Sequence, residues 1–130
     1  EQRSSVAIGL EATRIYAAAL PAVHGREDAQ AIASFNASCL EKFGNGGGNF
    51  RRLYAGFLSW ARELDAKLVP ATAPQLATDA ADVWTAASAA LFRASDSPEE
   101  AANYEEAGKH VERAAELESA LFTQLAETVG

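Results

Sequence analysis

The chain has 130 residues, 48% of them hydrophobic, with a net charge of −7 and one cysteine. That is length enough for a single domain with one hydrophobic core, and too apolar for a disordered chain. The acidic balance argues against nucleic acid and anionic membranes as partners, no apolar run approaches the roughly 18 residues of a bilayer span, and a lone cysteine forms no internal disulfide, which points to a cytoplasmic protein.

Thirty alanines against three tyrosines and few β-branched residues favour helix throughout. Ser4 or Ser5 caps an expected first helix carrying Val6, Ile8, Leu10, Ile15, Tyr16 and Leu20, which Pro21 ends or kinks. A second helix is predicted over 27–43, with Ile32, Phe35, Cys39 and Phe43 on one stripe and Gly44 at the C-cap position. The third, predicted over 50–68, has a wide apolar face of Phe50, Leu53, Tyr54, Phe57, Leu58, Trp60, Ala61, Leu64 and Leu68, broad enough for the central element.

Thr72 and Pro74 open a fourth helix containing Leu76, Ala80, Val83, Trp84, Ala87, Leu91 and Phe92. The run Ser-Pro-Glu-Glu at 97–100 has the form of a capping box, so a fifth helix is expected from Pro98. From there apolar positions Tyr104, Ala107, Val111, Ala114, Leu117, Leu121, Leu125 and Val129 continue for some eight turns, and Gly108 weakens it by roughly 1 kcal/mol against alanine. Eight glutamates between Ser97 and Gly130 against Lys109 and Arg113 read as a solvated acidic face. No segment alternates with period two. The fold class is all-α, a bundle of about five helices without a sheet, over a single domain spanning 1–130.

Chemistry is thinly written. Gly46, Gly47 and Gly48 precede a helix start that carries Arg51 and Tyr54, where free N–H groups and the helix dipole suit an anion. The Gly-Lys-Ser/Thr ending of a phosphate loop is missing, however, and no strand precedes it. A shaped connector that aims Phe50 and Arg51 is the favoured reading, with a left-handed glycine among the three and a pantetheine-phosphate contact as the alternative. Cys39 reads as a core residue. Glu106 and His110 share a helical face, but no Glu-x-x-His pair or Ser-His-Asp pattern occurs. No catalytic residue, metal site or cofactor is expected of the chain alone.

The run Gly-Gly-Gly-Asn-Phe-Arg-Arg-Leu-Tyr-Ala-Gly-Phe-Leu at 46–58 resembles the C-terminal helical domain of the butirosin biosynthesis protein H family, where Gly-Gly-Gly-x-Phe-Arg-x-x-Tyr-x-x-Phe-Leu opens a helix. Trp84 and the closing stretch at 112–127 extend the likeness over most of the chain. The resemblance implies acyl transfer from a carrier protein's phosphopantetheine to an amine in natural-product biosynthesis, with the cysteine and histidine in an N-terminal papain-like half. This chain would be the accessory domain at that site, with Gly46, Gly47, Gly48, Arg51 and Tyr54 as ligand contacts and the papain-like half and carrier protein as partners. Methionine is absent even from position 1, so the chain is expected to be the C-terminal part of a longer or processed protein. The alternative is a stand-alone binding or dimerisation module, a homo-oligomer formed through the third helix.

Overall fold

The computed structural model describes residues 9–41 and 47–129 as five α-helices, with no strand among them: α1 (Gly9–Val23), α2 (Ala29–Glu41), α3 (Gly47–Leu64), α4 (Ala73–Asp96) and α5 (Ala101–Val129). The all-α bundle expected from the periodicity is the fold. No described helix is long and apolar enough to cross a membrane.

The centre of the bundle is α4, which packs against α2, α3 and α5, while α1 lies along α5. The sequence points to α3 instead, because its large side chains span the broadest apolar arc. Burial follows the small residues. Ala73, Ala77, Ala80, Ala81, Ala87, Ala90 and Ala94 are all fully buried on α4, with Trp84 and Leu91 between them. A methyl side chain lets a neighbouring helix come close on every side, so an alanine-rich helix can be surrounded where a ring-rich one cannot.

The same rule corrects the expected stripe on α2. Its buried positions are Ala29, Ala33 and Ala37, four apart, whereas Phe35 is 64% exposed and Cys39 half-buried. Close approach of α2 to α4 is visible in Ser88, whose buried hydroxyl donates to the Ala37 carbonyl at 2.8 Å. Cys39 lies near Tyr16, whose phenol is pushed up to about 12 by burial and by the thiol. That phenol donates to Asn36 Oδ1 at 2.8 Å. The cysteine is therefore at the edge of the core rather than inside it.

Helix ends differ from expectation in ways the hydrogen bonds explain. Pro21 lies inside the last turn of α1, which runs two residues further to Val23. The expected start at Ser97–Pro98 fails because the Ser97 N–H is used by the Arg93 carbonyl as the C-cap of α4. The chain then turns, with the Glu100 N–H on the Ser97 carbonyl and the Tyr104 hydroxyl on the Pro98 carbonyl, before α5 begins at Ala101. Thr72 makes no side-chain cap; its hydroxyl goes to Gln124 on α5. Ser4, Ser5, Val6, Ile8, Phe43 and Gly44 lie outside the described residues.

Two glycines mark where helices cross. A Cβ on Gly108 would stand 2.8 Å from the Ala17 carbonyl and 3.3 Å from Pro21 Cδ, so the residue read as a weak point of α5 is where α1 lies against it. On Gly48 a Cβ would stand 2.9 Å from the Ala81 carbonyl and 2.7 Å from Thr85 Oγ1. Gly48 is helical, and the positive φ expected within the glycine run is not found at Gly47 or Gly48; Gly46 lies outside the described residues. Proximity, not a left-handed dihedral, requires glycine at 48.

These contacts predict an inversion of the usual helix propensity. Gly56 has open space around its Cβ position, so Gly56→Ala should stabilise by up to about 1 kcal/mol. Gly48→Ala and Gly108→Ala should each destabilise by about 1–3 kcal/mol through overpacking. Urea midpoints of the three variants measure the difference in sign.

Candidate functional site

The head of α3 is held to the bundle by its two adjacent arginines. Arg52 donates to Asp82 Oδ1 at 2.9 Å and to Thr85 Oγ1 at 2.8 Å, both on α4. Thr85 in turn donates to Glu41 Oε1 at 2.7 Å, tying in the end of α2. Arg51 faces the other way. Its Nε and Nη2 meet Glu118 Oε2 and Oε1 at 2.6 and 3.0 Å, a two-pronged pair that reaches α5. Trp84 Nε1 donates to the same Oε2 at 3.0 Å, and the Arg51 guanidinium lies 4.9 Å from the centroid of the Trp84 ring.

Glu118 is 4% exposed, a buried carboxylate with three hydrogen bonds from two partners. An ion pair in this setting contributes little net stability against an apolar replacement, but removing one partner strands the other. Its geometric effect is clearer. Among the described residues α3 and α5 do not come within backbone contact of each other. The Arg51–Glu118 pair bridges that gap below an open groove of about 410 Å³ lined by Phe50, Arg51, Tyr54, Ala80, Leu121 and Phe122 along with Glu118. Most of that lining is hydrocarbon or ring, with the ion pair as its polar part.

Of the residues singled out in the sequence, Arg51 and Tyr54 therefore meet at one groove. Gly48 is buried against α4 and offers no open cradle, and Gly47 begins α3. The charge of Arg51 is matched by Glu118, which removes the simple reason to place an anion there. Glu106 pairs with Arg93 rather than standing with His110. Among the described residues no group of three His, Cys, Asp or Glu is placed to hold a metal.

Glu118 and Phe122 are the functional candidates that periodicity passed over. A signal was available for the first. Val111, Ala114, Glu118, Leu121 and Leu125 are spaced 3, 4, 3 and 4, so a carboxylate occupies a core position of the α5 stripe. A charge at such a position calls for a buried partner.

The outer side of α3 is the second notable surface. Ala55 and Leu58 face the bundle, while Phe50, Leu53, Phe57, Trp60 and Leu64 are 54–70% exposed. Tyr54 and Phe57 stack with ring centroids 6.3 Å apart, and Phe57 meets Trp60 at 6.0 Å. The helix thus has two apolar sides, one used by this domain and one turned to solvent.

Residues 2–125 match the family described as a domain of unknown function, DUF4872, and the chain belongs to that family. No curated protein and no solved structure matches it.

Glu118→Ala should destabilise the chain by about 3 kcal/mol, because it leaves the Arg51 guanidinium and the Trp84 N–H without their acceptor. The double variant Arg51→Met, Glu118→Leu should recover most of that loss. Denaturant unfolding of the single and double variants gives the comparison.

Proposed function

We propose that the chain is the helical accessory domain of an acyltransferase similar to butirosin biosynthesis protein H, acting in the cytoplasm in natural-product biosynthesis. In this reading a papain-like half supplies the cysteine and histidine, and a carrier protein delivers the acyl group on phosphopantetheine to an amine. The helical domain shapes the place where that group is held and has no nucleophile of its own.

The observation that carries the reading is the groove at the head of α3. The residues of the Gly-Gly-Gly-x-Phe-Arg-x-x-Tyr run that carry the resemblance build its rim: Phe50, Arg51 and Tyr54 all line it. An apolar channel suits an aliphatic acyl chain or the hydrocarbon of a pantetheine arm. The ion pair at its side offers both hydrogen-bond donors and acceptors for amide groups without leaving a net charge. Gly48 contributes by letting α3 lie close on α4, which sets the position of the rim residues. A second reading, a binding or dimerisation module without enzymatic activity, is favoured by the solvent-facing rings of α3.

Incubation with an acylated carrier protein and an amine acceptor separates the two. The chain alone should give no turnover, and adding the papain-like half should restore it. Phe122→Glu, which puts a carboxylate into the apolar groove at a half-exposed position, should then raise KM for the acylated carrier at least tenfold. Turnover by the chain alone, or a papain-like half indifferent to its presence, would overturn the accessory role.

A further inference from the structure

We propose that the solvent-facing side of α3 is a self-association surface on which two copies of this chain pack antiparallel about a two-fold axis at Phe57. The inference does not depend on the acyltransferase reading: of its row only Phe50 also lines the groove, and Leu53, Phe57, Trp60 and Leu64 do not.

The first ground is area. Five side chains on one helix, Phe50, Leu53, Phe57, Trp60 and Leu64, each expose more than half their surface. With rings of about 150–250 Å² and leucines somewhat less, each a little over half exposed, the row presents on the order of 600 Å². The largest apolar patch on a typical monomer is about 300–600 Å², and a standard interface takes about 800 Å² from each partner, so the row alone supplies most of one.

The second ground is spacing. Positions 50, 53, 57, 60 and 64 advance by 3, 4, 3 and 4, the period of a seam between two packed helices. The seam from Phe50 to Leu64 runs for about 21 Å along α3, with Phe57 at its middle.

The third ground is charge, and it selects the occupant. Arg52 and Glu63 lie on the same edge of the seam, five residues before and six residues after Phe57. A two-fold axis across the helix at Phe57 keeps each edge opposite itself and reverses the direction. Arg52 of one copy then stands across from Glu63 of the other, twice over. A parallel pair would set each edge against the opposite edge and lose this match. Arg62 does not oppose it, because its guanidinium turns back to the Val69 carbonyl at 2.7 Å. Arg52 is exposed at the surface, held by Thr85 and by an Asp82 that is more exposed still, and its five donors leave room for a second carboxylate.

Sedimentation of the chain at tens of micromolar should show a dimer. Phe57→Glu should make it monomeric with an unchanged circular dichroism spectrum, since Phe57 is not needed for the bundle. Arg52→Glu and Glu63→Arg should each weaken the dimer at least tenfold, and the double exchange should restore it. In a Cys39→Ser background, Phe57→Cys should form a disulfide-linked dimer on mild oxidation, while Ser59→Cys should not. A monomer at these concentrations, or a dimer that survives Phe57→Glu, would overturn the proposal. So would a double charge exchange that remains as weak as its parents, since only a second copy carries both charges.

Discussion

A carboxylate cannot be taken out of water without partners, and in this bundle that constraint fixes how three helices meet. Glu118 is almost fully buried on α5, so donors must converge on it from elsewhere. They come from α4, through the Trp84 indole N–H, and from α3, through both prongs of Arg51. The interaction also explains why Trp84 and Arg51 lie against each other, since both are drawn to one oxygen. Without it α3 would contact the rest of the bundle chiefly through α4, and its rotation would be less constrained.

Close packing of small residues supplies what the ion pair does not. The alanines of α2 and α4 allow the helices to approach until a serine hydroxyl on one reaches a backbone carbonyl of the other. Gly48 and Gly108 extend the same principle to the crossings of α3 with α4 and of α1 with α5. With so many methyl-sized side chains, the interior gains dispersion contacts through close approach of the helices. Its large apolar residues are consequently left over, and several of them are on the surface.

That surplus is concentrated on α3. Ala55 and Leu58 satisfy the inner side, and the rings of Phe50, Phe57 and Trp60 are directed to solvent. At one end of the row the groove between α3 and α5 is walled by Phe50 and Phe122 and bounded by the Arg51–Glu118 pair. The domain therefore presents an apolar trough beside an apolar ridge. The trough suits a narrow, flexible ligand, whereas the ridge suits another helix. Both depend on the rotation of α3, which Arg51 on Glu118 and Arg52 on Asp82 and Thr85 hold from either side.

The sequence alone determined the helical class and, among the described residues, the five helices and their approximate places, because periodicity near 3.6 and the Gly and Pro punctuation are local signals; the third helix, expected over 50–68, spans Gly47–Leu64. It also made the third helix legible as apolar over a wide arc, without separating the buried Leu58 from the exposed row at Phe50 to Leu64. Which side of each helix would be buried was a tertiary decision. On α2 the phenylalanine stripe lost to Ala29, Ala33 and Ala37, and α3 lost the central place to α4, because hydrophobicity measures the tendency to leave water but not how closely a neighbour can approach. Arg51 was legible as a candidate contact, yet its partner is 67 residues away on α5, and no local pattern connects the two. The glycine at 48 was legible as a constraint of some kind. Only the packed structure shows that the constraint is the Ala81 carbonyl on α4, a distance between two helices rather than a backbone angle within one.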